Sequence, residues 1–193
     1  MAKSLEDMSL EELWQLFPIF LKEHNKDWAA WYKEESRRIQ SFLPANQLYE
    51  MHHIGSTSIE GIWAKPIIDI LLEIPRSEDM GSIKRELLEH GYLLMSESEG
   101  RMTFNKGHAL QGFAERVFHL HLRYYGDHDE LYFRDYLKVH PDVAKDYEQL
   151  KLTLWKKYEY NRDAYTEAKT DFIRRYTPKA KKLYKRRYDD KIE

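Results

Sequence analysis

The stretch His53-Ile-Gly-Ser-Thr-Ser-Ile-Glu-Gly-Ile-Trp-Ala-Lys-Pro-Ile-Ile-Asp-Ile-Leu71 decides how the rest of the chain is read. Its second half continues to Ile74 as a near-unbroken apolar run, Ile67-Ile68-Asp69-Ile70-Leu71-Leu72, typical of a strand buried on both faces. Asp69 interrupts that run. A buried carboxylate is costly unless paired, hydrogen-bonded or metal-bound, so its presence there points to a site residue. Gly55-Ser56-Thr57-Ser58 reads as a turn, where glycine lets the backbone approach a ligand closely and the following N–H groups suit an anion. Tyr49 to Ile54 reads as the strand that feeds the turn.

Upstream, Ser9 caps a short helix that ends at Leu16, and Pro18-Ile-Phe-Leu21 reads as a short strand. A helix from about Lys26 to Phe42 follows, because Trp28, Trp31, Tyr32, Ile39 and Phe42 recur at helical spacing. Downstream, a helix runs from Ser77 to His90, capped by Ser77 and stopped by Gly91. Short strands are expected near Tyr92–Met95, Arg101–Asn105 and Phe113–Tyr125, with Lys106–Gln111 as a hairpin loop. From Leu131 onward the chain is helical. Pro141 opens one helix, Asn161-Arg162-Asp163 breaks it, and Tyr165, Ala168, Phe172 and Tyr176 mark the face of a last long helix. The sum is an α+β fold: a mixed β-sheet flanked by helices, with a C-terminal helical hairpin packed on it.

The 193 residues suit one domain with a helical extension. There is no cysteine, which excludes disulfides, thiol nucleophiles and Cys-type zinc sites. That absence, and an N-terminus without a long apolar stretch, lead us to expect a cytoplasmic protein with no membrane partner. The formal net charge of −2 gives no global pull toward nucleic acid. The segment Arg174–Tyr188 does carry eight Lys or Arg and no acid. We read it as a solvated helix end rather than a nucleic-acid interface.

The opening stretch resembles the signature of the GrpB family, roughly HIGST-x-x-x-G-x-x-AKP-x-I-D-I. His119-Leu-His121, Phe133-Arg-Asp-Tyr-Leu-x-x-His-Pro141 and Tyr165-x-x-x-Lys169-x-x-Phe-Ile173 resemble it too, in the same order and spacing. The resemblance runs from about Pro18 to Tyr176. It implies a helical extension over 1–17, a family domain over 18–176 and a basic helical tail over 177–193. It also implies a nucleotidyltransferase-like core, in which Gly-Ser on a turn precedes two carboxylates on the next strand. The family domain also occurs fused to dephospho-CoA kinase, which makes a coenzyme A-related ligand or partner conceivable.

On that pattern Asp69 is the catalytic candidate, and Gly55, Ser56 and Thr57 would cradle a phosphate. Leu71 stands where the second carboxylate would be. Glu73 shares the strand face but lies about 13 Å along it, too far to replace that carboxylate in a metal pair about 4 Å apart. His119 and His121 are two apart and share a strand face, so with Asp69 they form a candidate two-histidine-one-carboxylate metal site. His53 is expected to join that cluster, and His52 to face away. Lys65, Arg123, Arg134 and Lys169 are candidate anion contacts. Arg134 and Asp135 read equally as a structural pair, and Tyr147 and Tyr165 as packing.

Three functions remain open. One is a nucleotidyltransferase-type enzyme using magnesium or manganese. Another is a module that binds a nucleotide or other phosphate-containing small molecule without turnover. The third is a mononuclear metal protein built on Asp69, His119 and His121.

Overall fold

A computed structural model describes residues 3–44, 49–185 and 187–188. Helix α1 spans Leu10–Leu16. The Ser9 side chain accepts from the Glu12 N–H and the Glu12 carboxylate accepts from the Ser9 N–H, a reciprocal cap. Residues 18–21, expected as a strand, form none. Ile19 donates to the Glu159 carbonyl, and one antiparallel bridge joins Lys22 to Ala64. Helix α2 covers Asp27–Phe42.

Strand β1 is Glu50–Ile54 and β2 is Ile67–Ile74. Helix α3 spans Met80–Glu89 and is capped by Asp79, which accepts from Gly81 and Ser82 N–H, rather than by Ser77. Strands β3 (Leu93–Ser98), β4 (Arg101–Ala109) and β5 (Gly112–Tyr124) follow. The β4–β5 ladder continues to Ala109 opposite Gly112, so the expected six-residue loop shrinks to a tight turn at Leu110-Gln111. The register shifts between Lys106 and His108, where Gly107 has φ 91°, and the extra residues of the irregularity lie on β5.

The strands form one mixed sheet in the order β1-β2-β5-β4-β3. Only β2 and β5 run parallel; the other pairs are antiparallel. Residues paired across neighbouring strands share a face, so register sorts the side chains into rows. Ile54, Asp69, His119 and Asn105 form one row; His52, Leu71, His121 and Thr103 the next; Glu50, Glu73, Arg123 and Arg101 a third. The opposite face carries Ile68, Ile70, Leu72, Ile74, Phe118, Leu120 and Leu122. These pack against Trp28 and Ile39 of α2 and Met80, Ile83 and Leu87 of α3. One face is thus an apolar core layer and the other carries the ionisable groups.

The ionisable face is covered by the C-terminal helices: α4 (Asp129–Val139), α5 (Pro141–Tyr158), α6 (Arg162–Glu167) and α7 (Thr170–Leu183). The last helical stretch, read as continuous, is split at Ala168-Lys169 into α6 and α7. Leu137, Val143 and Tyr147 pack on Ile59 and Ile62 of the β1–β2 connection, with Phe172 and Tyr176 at the margin. Helix α5 also clamps that connection. Glu148 accepts from the Trp63 N–H at 2.6 Å, and the Lys151 ammonium donates to the Trp63 carbonyl. Among the described residues no helix is long and apolar enough to cross a membrane.

The basic segment does not hang free. Thr177 lies inside α7, and beyond it Arg187 and Tyr188 fold back to donate to the Asp135 carboxylate. The residues past Tyr188 lie outside those described.

Candidate functional site

Gly55 sits at φ 68° and ψ −177°, a backbone conformation open essentially to glycine alone. A Cβ there would lie 2.2 Å from the Asp69 Oδ2. The turn and the strand aspartate are therefore in direct contact. Ser56–Ser58 continue as a single 3₁₀ turn. The Ser58 hydroxyl donates to the Gly55 carbonyl, and the buried Thr57 hydroxyl donates to the Ile67 carbonyl. Thr57, expected to face a phosphate, instead ties the turn to the start of β2.

Parallel pairing places His119 directly beside Asp69 and His121 one row along. His119 Nδ1 and His121 Nε2 each lie 3.6 Å from the same oxygen, Asp69 Oδ1. The Asp69 side chain is 28% exposed, whereas Ile54, His119 and Asn105 in its row are buried. Burial would raise the Asp69 carboxyl, but the two imidazoles outweigh it and hold the group below the usual carboxylate range. Burial pushes the His119 ring down against the pull of Asp69, so the ring is neutral near pH 7. Its Nδ1 faces the carboxylate, and its Nε2 is buried with no hydrogen-bond partner among the described residues. Among the described residues no group of three or more His, Asp or Glu side chains is arranged to hold a metal ion.

The remaining candidates separate. His53 was expected beside Asp69, but register sends it to the other face. There it stacks on Tyr32 at 4.8 Å and shares a hydrogen bond with Thr57. His52, expected to face away, shares the ionisable face and lies near Glu50 and Glu73. Arg123 is two rows from Asp69 and buried. It donates to the Met102 and Leu122 carbonyls and lies 3.7 Å from Asp127. Glu73 is sealed in a bond to His128 at 2.8 Å, not near the Asp69 row. Arg134 pairs with Asp135 and donates to the His53 carbonyl just ahead of the turn, while also lining a cavity beside Gly55.

Lys65 and Lys169 do converge on Asp69, and they bring Arg162 with them. All three are partly buried and within electrostatic reach of that carboxylate. Among the described residues none of the three side chains makes a hydrogen bond or ion pair with protein. The Lys65 and Lys169 ammonium groups lie 5.5 and 4.4 Å from the Tyr165 ring centre instead. Burial, then the neighbouring Lys169 and Arg162, push Lys65 down to about 7. Burial likewise lowers Lys169 to about 8 and lowers Arg162. Lys151, also lowered to about 7 by burial, stands behind Lys169.

Arg162 was read only as part of a break. It is placed because Asn161 caps α6, its side chain accepting from the Ala164 N–H at 2.9 Å. Tyr147 was read as packing, yet it lines the cavity next to Gly55 and Ser56 and lies within reach of Asp69.

These residues do not fit the two-metal arrangement of a nucleotidyltransferase. Leu71 occupies the second carboxylate position, His121 lies across from it, and three cations crowd the single acid. What these residues offer is a group of three cations within electrostatic reach of one carboxylate that two imidazoles approach.

Fold and site together define the class: a mixed α+β domain whose sheet presents a strand aspartate beneath a basic helical cap. The GrpB protein family model matches residues 18–179, and the chain belongs to the GrpB family. It is 33% identical to the glutamate-rich protein GrpB of Alkalihalophilus pseudofirmus, over 80% of this chain and 91% of that one. It is also 33% identical to the protein YqkA of Bacillus subtilis, over 85% of this chain but only 48% of that relative's length. The crystal structure of the conserved protein GrpB from Enterococcus faecalis superposes with a TM-score of 0.74 at 29% identity, covering 86% of this chain and 99% of that one. A looser likeness, TM-score 0.48 at 11% identity, links 77% of the chain to 47% of the Cid1 poly(U) polymerase bound to MgGTP.

Proposed function

We propose that this protein binds a phosphate-containing small molecule, of the nucleotide class, in the cleft over Asp69. The observation that carries the reading is the set of three partly buried cations, Lys65, Arg162 and Lys169, that face one carboxylate and have no protein acceptor among the described residues. Holding like charges together out of water is costly, and the depressed lysines express that cost. An anion with several oxygens removes it, because each cation then gains a charge-assisted hydrogen bond. The Gly55 turn packs directly against that carboxylate and holds it in place.

The reading concerns binding, with or without turnover. Magnesium or manganese would then arrive with a triphosphate rather than be held in advance by the protein. A single transition metal at Asp69, His119 and His121 is the weaker reading, since a divalent ion there would face the same three cations. Its only support is the equal approach of two imidazole nitrogens to one carboxylate oxygen.

Titration calorimetry with inorganic tripolyphosphate and with ATP, each with and without magnesium or manganese, tests the proposal. We expect metal-independent binding that weakens about tenfold or more in Arg162→Ala or Lys169→Ala. Asp69→Asn removes a negative neighbour and should leave anion binding equal or tighter. No binding of either anion overturns the proposal. Loss of binding on Asp69→Asn, with metal found by elemental analysis of untagged protein, replaces it with the metal reading.

A further inference from the structure

A cavity of about 710 Å³ opens beside the Gly55-Ser56 turn, between α4 and α7. That volume lies within the range of ligand pockets, roughly 300–1,000 Å³. Ile59, Phe133, Tyr147 and Ile173 give it apolar and aromatic walls. Phe133 and Tyr147 are held edge to face, with centroids 5.3 Å apart, so the wall is braced by its own packing.

Ser56, Asp129, Glu130, Arg134, Arg174 and Lys181 supply a polar side, and one further polar group is buried. Thr177 is 8% exposed and lines the cavity, and its hydroxyl oxygen is buried without a hydrogen-bond partner among the described residues. A threonine inside a helix ordinarily bonds the carbonyl one turn back; here it does not. Leaving a buried hydroxyl unpaired is unfavourable, and a ligand that supplies the missing partner relieves it. The cavity also adjoins the anion cleft, since Tyr147 lines the one and lies within reach of Asp69 in the other.

We propose that this cavity is the subsite for the organic part of the phosphate ligand, that its occupant is the flat heteroaromatic ring of a nucleoside, and that Thr177 determines which ring is accepted. This rests on the anion-binding reading above. The apolar wall takes the ring face. The Thr177 hydroxyl meets a donor or acceptor on the ring edge, and the phosphates reach back past Gly55 toward Lys65, Arg162 and Lys169.

The experiment compares the four nucleoside triphosphates, coenzyme A and inorganic tripolyphosphate by calorimetry, on wild-type protein, Thr177→Val and Thr177→Ser, each checked by thermal melting. At least one nucleoside triphosphate should bind more tightly than tripolyphosphate. The ratio of its affinity to that of tripolyphosphate should fall about three- to tenfold in Thr177→Val and recover in Thr177→Ser. Tripolyphosphate binding as tightly as every nucleotide overturns the subsite but leaves the anion site standing. Coenzyme A binding best, with no change of its ratio in Thr177→Val, assigns the cavity to an acyl-carrier arm and overturns the nucleoside reading. If neither tripolyphosphate nor any nucleotide binds, both proposals fall together. If Thr177→Val melts early, the Thr177→Ser ratio alone decides, and a fall there with folding intact overturns the role given to the hydroxyl.

Discussion

At Gly55 a missing side chain makes room for a functional one. The conformation at φ 68° excludes other residues at a cost of roughly 1–3 kcal/mol, and the Asp69 carboxylate fills the space where a Cβ would stand. Gly55→Ala should therefore lower stability by roughly 1–3 kcal/mol in urea unfolding and displace the Asp69 side chain. Wild-type stability with unchanged anion affinity would show that the turn is not coupled to the carboxylate. The residue scale is also where the sequence was most and least informative. Asp69 stood out because nothing apolar explains it. His53 and His52 were assigned to the wrong sides. Alternation separates them, but only the pairing of Ile54 with Asp69 says which one shares the aspartate's face. Lys151 escaped notice although it lies four residues after Tyr147 and three before Leu154, on the buried stripe of α5. A lysine on such a stripe is a legible signal of a buried cation; Arg162, in a break, offered none.

Among the elements, α5 does more than cover the sheet. Glu148 and Lys151 take the N–H and carbonyl of Trp63 and so fix the chain between the Gly55 turn and Lys65. Replacing Glu148 with Ala leaves a partly buried N–H unpaired and leaves Lys145 with the Gly61 carbonyl but no carboxylate. The expected loss is about 1–3 kcal/mol by urea unfolding, together with weaker anion binding, because Lys65 follows the clamped residue by two. A stable variant with weakened binding would still support the clamp, whereas full stability and full binding would not. The elements themselves were readable where the apolar pattern was strong, as for α2, β2 and α5. They were misread where a tertiary partner decided the outcome. Pro18–Leu21 is apolar enough for a strand but finds only the Lys22–Ala64 bridge, and α6 and α7 share one apolar stripe across a break that periodicity does not show.

For the whole molecule, the depressed lysines give stability an uncommon pH dependence. Lys65 and Lys151 titrate at about 7 and Lys169 at about 8 when folded, against 10.5 as free side chains. Between those limits the unfolded chain holds more protons than the folded one, so stability rises with pH across that window. The urea midpoint should be higher at pH 9.5 than at pH 7.5, and saturating tripolyphosphate should flatten the difference by restoring the ammonium charges. A midpoint that falls over this interval would mean the lysines are ordinarily solvated.

The single parallel pairing in the sheet carries a consequence of another kind. Asp69 and His119 become neighbours only when β5, arriving after α3, β3 and β4, slots in beside β2. A stretch that stops at β4 carries the aspartate without the imidazole it faces, so the pair cannot be inherited or transplanted on a local run of chain. The two stand side by side because the sheet closes around a distant strand.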